Sequence, residues 1–121
     1  MLSAVSLIQS NFGSTGNLEV VAIHNGQLLH FSRDSGPGFH WFGPDPVNTG
    51  GKPVTGATGI PSLIQGRFGS RGNFELVVPL ADGGLAHYDR NNDDPSFPWF
   101  GPNVFANDLG TFGSVSLIQC N

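Results

Sequence analysis

Basic residues are scarce in this chain, which has five Lys and Arg residues among 121 against nine Asp and Glu residues. The formal net charge of −4 argues against nucleic-acid binding, because phosphate recognition needs a clustered basic face. A single cysteine, Cys120, excludes an internal disulfide and leaves the redox compartment open. No apolar run approaches the roughly 20 residues that span a bilayer, so no membrane span is expected. The start MLSAVSLIQS lacks a basic segment, and no signal peptide is expected.

Glycine and proline are abundant instead, with 18 and 9 residues, a level at which disorder becomes a candidate. Disorder is not favoured, because 38% of the residues are hydrophobic and only 12% are charged. Many short apolar runs separated by Gly, Pro and Asn are typical of an all-β protein.

One sequence unit occurs twice, and its first residues occur a third time. The segment SLIQSNFGSTGNLEVVAIHNGQLLHF starts at Ser6, SLIQGRFGSRGNFELVVPLADGGLAHY starts at Ser62, and a third SLIQ starts at Ser116. The spacing between equivalent residues is 56 at the start of the unit and 58 at its WFGP segment, so insertions fall in turns. The predicted organisation is two units, 1–61 and 62–115, followed by the first strand of a third repeat, 116–121.

Each unit divides into four short strands. The predicted strands are 5–10, 18–24, 27–33 and 39–42 in the first unit, and 62–66, 74–80, 84–90 and 97–100 in the second. Asn25-Gly26 predicts a two-residue type I′ turn, and 81–83 predicts a three-residue turn closed by a glycine. Four strands per unit of about 55 residues, repeated in tandem, favour β-propeller blades.

Two blades cannot close a ring, since propellers typically have 4–8. The sequence therefore predicts self-association into a closed ring, a trimer with six blades or a tetramer with eight. The third SLIQ is one first strand more than two blades need. It is interpreted either as a latch that displaces the N-terminal copy at a protomer boundary, or as a cut within a longer repeat protein.

The motif at 16–21 and 26–30 resembles the blade motif of tectonin-like bacterial β-propeller lectins. That family includes the fucose-binding lectins of Photorhabdus and related propellers labelled sialidase-like. The match extends to 72–77, 83–87 and Trp99. The resemblance implies a propeller with shallow sugar sites between neighbouring blades.

The chain departs from that family at one place: the Trp usually found before the blade His is Leu29 in the first unit and Ala86 in the second. If that Trp forms a sugar platform in the relatives, the sites here differ or are absent. The segments NFGSTGN and RFGSRGN lie where calcium loops of integrin-like propellers would be, but they lack the carboxylates that Ca²⁺ needs. No metal is expected.

A Glu–His pair is predicted in each unit. Folding the hairpins places Glu19 beside His30, and Glu75 beside His87, as diagonal neighbours on one face. Such a pair forms an internal hydrogen bond between blades, lines a ligand pocket, or acts as a general base or metal ligand. Recurrence in both units favours the structural role over the other two.

Three further pairs of equivalent residues are candidates for ligand contact. The tryptophans offer a stacking plane for a sugar or belong to the core. The arginines bind hydroxyls or carboxylates, or form a local ion pair with Asp34 and Asp89 or clamp a carbonyl. The asparagines satisfy the backbone of a turn or face a ligand. These candidates are Trp41, Trp99, Arg33, Arg90, Asn17 and Asn73.

The sequence thus predicts a carbohydrate-binding, lectin-like propeller with glycans as partners and repeated sites between blades. The alternative is a structural or protein-interaction module, such as a propeller fragment or an engineered repeat protein, without sugar binding. A glycosidase needs paired carboxylates about 5–9.5 Å apart, and Glu19 and Glu75 lie a whole unit apart. No nucleophile motif is present, so neither catalysis nor a cofactor is expected.

Overall fold

The structure is a computed structural model that describes residues 4–120. Residues 1–3 and 121, at the ends of the first and last predicted units, lie outside the described residues. Residues 4–120 contain ten strands in three antiparallel sheets and one short 3-10 helix, Asn107–Leu109, which confirms the all-β class. Over that range no helix has the length and apolar character needed to cross a bilayer.

The first sheet is formed by four consecutive strands in the order β1-β2-β3-β4. These are β1 (Val5–Gln9), β2 (Leu18–His24), β3 (Gln27–Arg33) and β4 (Trp41–Pro46). The β2–β3 turn is Asn25-Gly26, whose φ values of 50° and 76° are both positive, as a type I′ turn requires. The predicted hairpin is confirmed, with Val21 opposite His30.

The second sheet repeats this arrangement in the order β7-β8-β9-β10. Its strands are β7 (Ser62–Gln65), β8 (Phe74–Pro79), β9 (Leu85–Arg90) and β10 (Trp99–Phe105). The β8–β9 loop closes through hydrogen bonds in which Leu80 N donates to Gly84 O and Gly83 N donates to Leu80 O, both at 3.0 Å. The predicted three-residue turn at 81–83 is therefore present, with Gly83 at a φ of 102°.

The fourth strand of each sheet runs beyond its predicted end. The predicted strands end at residues 42 and 100, but β4 and β10 continue through the following Gly-Pro to Pro46 and Phe105. A register shift lies at this point, opposite Phe31 in the first sheet. Gly43 adopts a φ of 120°, and a Cβ there would lie 2.8 Å from the carbonyl oxygen of His30. A glycine bulge therefore lets the outer strand continue, and proline is tolerated on an edge strand.

A small hairpin that was not predicted follows the first sheet. It pairs β5 (Asn48–Thr49) with β6 (Lys52–Pro53) across two glycines with positive φ, Gly50 and Gly51. Its flanking residues Val47 and Val54 are buried. Two-residue strands carry too little alternation to be detected as a pattern.

The two four-stranded sheets stack face to face around one hydrophobic core. The core contains one face of the first sheet, the opposite-facing side of the second and the link between them. Its buried members are Val21, Ile23, Leu28, Val47, Val54, Ala57, Leu63, Phe74, Leu76, Val78, Ala86 and Tyr88. In the strand FELVV, Phe74, Leu76 and Val78 face this core, while Val77 on the other face is also buried.

Each sheet also has a face turned away from the other sheet. On the first sheet this open face carries Leu7, Val20, Phe31 and Arg33, which share one side by strand register. On the second sheet the open face carries Ile64, Glu75, Val77, His87 and Asp89. Residues 110–117 run beside this sheet, with hydrogen bonds from Ile60 N to Gly113 O, from Gly84 N to Gly110 O and from Leu117 N to Ser62 Oγ.

The third SLIQ lies against β7 without joining a sheet within residues 4–120. Leu117 N donates to Ser62 Oγ at 2.9 Å. The equivalent bond between the two sheets runs from Leu63 N to Ser6 Oγ at 3.1 Å. Residues 116–120 therefore lie on the second sheet as β7 lies on the first, although the strand predicted there forms no ladder.

Truncating Leu63, whose side chain is 2% exposed, should lower the free energy of unfolding. For Leu63→Ala we expect a loss of about 2–5 kcal/mol, since a cavity remains between the sheets. The matched control is Leu109→Ala, at a side chain that is 70% exposed, for which we expect a change within about 0.5 kcal/mol. Urea unfolding measures both, and equal losses would contradict the core assignment.

Candidate functional site

A pocket lies between the two sheets and is lined by residues of both. One cavity of about 220 Å³ is lined by Phe12, Asn17, Glu19, His30, Ser32, Asp45, Arg90 and Phe97. A second cavity of about 280 Å³ shares four of these residues and adds Pro46, Ser96 and Trp99. We call their union the inter-sheet pocket. Its combined size is near the lower end of the ~300–1,000 Å³ typical of ligand pockets.

Glu19 is the buried anchor of the inter-sheet pocket. Its Oε1 lies 2.9 Å from His30 Nε2, and its Oε2 accepts a hydrogen bond from Ser10 Oγ at 2.8 Å. The predicted contact between Glu19 and His30 is confirmed. Because both carboxylate oxygens are hydrogen-bonded, Glu19 fixes the positions of His30 and Ser10 at the base of the pocket.

Arg90 is the cation of the inter-sheet pocket. Its guanidinium lies over the rings of Phe74 at 4.2 Å and Phe97 at 4.5 Å, and its Nε donates to Asn92 Oδ1 at 2.6 Å. It therefore contacts aromatic rings and an amide, where a local ion pair with Asp89 was one expectation. The hydrogen bond at Nε leaves the two terminal amino groups as the donors that can meet a ligand.

Burial lowers the pKa of Arg90 to about 10, and the negative charges of Glu19 and Asp45 offset part of this effect. The side chain remains a cation at neutral pH. Asp45 lies opposite His30 on β4 and is exposed at the pocket mouth. The pocket thus has a buried carboxylate, a buried guanidinium and an exposed carboxylate at its rim.

Aromatic rings form the other wall. Phe97 meets Phe12 edge to face, with ring centroids 5.5 Å apart, and Trp99 packs partly on the core while lining the second cavity. Phe97 is held at a positive φ of 48°. A ring face beside charged hydrogen-bonding groups suits a ligand with an apolar face and polar edges.

The structure brings five of the ten predicted site residues into the inter-sheet pocket: Asn17, Glu19, His30, Arg90 and Trp99. The other five lie outside it: Trp41, Arg33, Asn73, Glu75 and His87. Asn17 and Asn73 both satisfy turn backbones, as one interpretation had it, through hydrogen bonds that their Oδ1 atoms accept from Ser35 N and Asn92 N.

The second Glu–His pair forms with the same geometry on the open face of the second sheet. Glu75 Oε2 lies 2.8 Å from His87 Nε2. These side chains are 17% and 34% exposed, against 3% and 7% for Glu19 and His30. The difference follows from stacking, because a second sheet covers only the first pair. No group of three potential metal ligands gathers anywhere within residues 4–120.

Sequence reasoning missed Asp45, Phe12 and Ser32 as pocket residues. Asp45 lies beyond the predicted end of the fourth strand at residue 42, and the bulge sets its place opposite His30. Phe12 belongs to a loop, which strand periodicity does not place. The equivalent of Asp45 in the other unit is Asn103. This difference does not mark a pocket position, because a core position such as that of Phe74 also differs between the units.

Removing the charge of Glu19 should destabilise the fold more than the same change at Glu75. Glu19→Gln weakens the charge-assisted bonds to His30 and Ser10, for which we expect a loss of about 1.5–3 kcal/mol in the free energy of unfolding. Glu75→Gln is the matched control and should cost less, because Gly66 stands where Ser10 stands and supplies no hydroxyl. Urea unfolding compares them, and the reverse order would contradict the anchoring role.

The loop carrying Asp93 gives a pH-dependent test. Backbone hydrogen bonds from Arg71 and Ser70 hold the pKa of Asp93 below 3.8. A lowered carboxyl pKa adds stability above the unfolded value, and this is lost as pH falls through the folded value. Asp93→Asn should therefore be less stable than the wild type above pH 3.8, with the difference vanishing in stronger acid. Urea unfolding across pH measures this, and a pH-independent difference would contradict it.

Comparisons of the chain with protein-family models, with curated proteins and with solved structures found no match. The resemblance to tectonin-like lectins therefore stays a prediction from the repeated motif.

Proposed function

We propose that this chain is a non-enzymatic carbohydrate-binding protein whose two sheets are blades of a β-propeller. The blade interpretation is supported by the order of the strands, since each sheet is a four-stranded meander in sequence order. It is further supported by stacking through a shared core. The hydrogen bond between the sheets, from Leu63 N to Ser6 Oγ, has an equivalent on the second sheet, from Leu117 N to Ser62 Oγ.

The observation that carries the proposal is the composition of the inter-sheet pocket. Hydroxyl groups both donate and accept, so one sugar can donate to Asp45 and accept from Arg90. Its C–H face can pack on Phe97 or Trp99, which line the same cavity. The opposed charges of Arg90 and Asp45 favour a neutral, hydroxyl-rich ligand over one with a single strong charge.

The hydrogen bonds of Glu19 support a role in binding. Each of its two oxygens is held by one partner, His30 or Ser10, which suits a group that positions its neighbours. The alternative function is a structural or protein-interaction module. It has support in the exposed apolar side chains of the open faces, such as Leu7.

The affinity of the pocket should depend on Asp45. We expect Asp45→Asn to weaken binding of a neutral monosaccharide roughly tenfold or more, because a hydrogen bond to a charged group contributes about 1.5–3 kcal/mol. A glycan array selects the sugar, and isothermal titration calorimetry measures the dissociation constant.

The control is Asp82→Asn, which makes the same change on the exposed 81–83 turn, outside the pocket. It should leave the affinity unchanged. No binding to any neutral glycan by the wild type would overturn the proposal, and release of free sugar from a chromogenic glycoside would overturn its non-enzymatic part.

A further inference from the structure

Two exposed phenylalanines lie on opposite sides of the stack, although their equivalents within the chain touch each other. Phe12 and Phe97 meet across the sheet junction at 5.5 Å. Their equivalents are Phe68, which is 74% exposed, and Phe39, which is 58% exposed. Phe39 already has the backbone conformation of Phe97, with φ values of 47° and 48°. Each open side therefore carries one half of a contact that the chain makes internally.

The charged residues that meet in the inter-sheet pocket also have equivalents on the two separate open faces. The open face of the second sheet carries Glu75 with His87, the equivalents of Glu19 with His30. The open face of the first sheet carries Arg33, the equivalent of Arg90, with its guanidinium 5.1 Å from the Phe39 ring. Arg33 Nε is shielded from solvent and has no hydrogen-bond partner among the described residues.

We propose that the open face of the first sheet in one copy docks on the open face of the second sheet in another copy. The arrangement is the one that joins the two sheets within the chain. The junction then forms a second pocket for a hydroxyl-rich ligand, which we call the composite pocket. One copy supplies its acceptor side and the next its cationic and aromatic side: Glu75, His87 and Asn103, then Arg33, Phe39 and Trp41. Its ligand class rests on the proposed function, whereas the docking does not.

The composite pocket is similar to the inter-sheet pocket but not identical to it. Asn103 takes the place of Asp45, and Asp89 takes the place of Ser32. The rim acceptor thus changes from a carboxylate to an amide, while a carboxylate enters next to the Glu–His pair. An assembly therefore holds two classes of site with different affinities for one sugar.

Docking requires that either residues 116–120 or β1 of the incoming copy give way to the other. Residues 116–120 lie where β1 of the incoming copy would lie, because Leu117 N already donates to Ser62 Oγ. Both segments carry the same four residues, SLIQ, so either can occupy that one place. The residues that line the composite pocket come from other strands and loops and stay the same in both cases.

The docking is heterologous, since the two faces that meet are different surfaces. Such an interface closes a ring when its rotation divides a full turn, and it otherwise continues as a filament. With two sheets per copy, three or four copies give the six or eight blades of common propellers.

Aspartate substitutions at the two phenylalanines test the docking. Light scattering of the wild type should give three or four times the chain mass of 12.8 kDa. Phe39→Asp and Phe68→Asp should each give a 12.8 kDa monomer, because each places a charge in the contact. The control Leu109→Asp changes an exposed apolar residue of the 3-10 helix and should assemble as the wild type does.

Mixing the two monomeric variants is the decisive step. The Phe68→Asp copy keeps Phe39, and the Phe39→Asp copy keeps Phe68, so one intact junction can form between them. We expect a dimer in the mixture and in neither variant alone. A wild-type monomer, assembly of either variant, or a mixture without dimer would overturn the docking.

Calorimetry on the mixture tests the composite pocket with the sugar that the wild type binds. We expect three sites per dimer, two inter-sheet pockets and one composite pocket, and one site per chain in each variant alone. Two sites per dimer would overturn the composite pocket and leave the proposed function intact. Absence of binding by the wild type and by both variants would overturn the proposed function and the ligand together, while the mass of the mixture would still decide the docking.

Discussion

The structure depends on how Arg90 is held between the sheets. A buried guanidinium is costly unless it is paired, and here three phenylalanine rings and the carboxylates of Glu19 and Asp45 surround it. Glu19 is fixed in turn by Ser10 and His30. The carboxylates of the first sheet therefore line the same pocket as Arg90 of the second sheet. The stacking that buries Arg90 thus also forms the polar lining of the inter-sheet pocket.

The repeat made most of the fold predictable. Alternation and the Asn-Gly turn placed the β2–β3 hairpin in its observed register, and that register implied the contact between Glu19 and His30. These are local features, since the partners lie within about a dozen residues of each other. The second unit then followed by equivalence, including the turn at 81–83, where an extra residue preserves the pairing.

Contacts between the sheets were not predictable in the same way. Phe12 sits in a loop, and its contact with Phe97 joins residues far apart in sequence. Asp45 reaches the pocket only because Gly43 lets β4 bulge past Phe31. Periodicity reports which face a side chain occupies, but not what another sheet places opposite it. The sequence therefore predicted only part of the inter-sheet pocket, namely Asn17 and residues on regular strands.

The serine and leucine of SLIQ form a joint between successive units. The serine accepts a hydrogen bond from the next copy of the motif, and the adjacent leucine donates one to the copy before it. The donor and the acceptor of this joint thus belong to adjacent residues of the motif. A gene that duplicates this unit in tandem inherits a working connection at each new boundary, without a compensating mutation elsewhere. Drift is then free to act on the turns and on pocket residues such as Asp45, which differ between the two units while the joint does not.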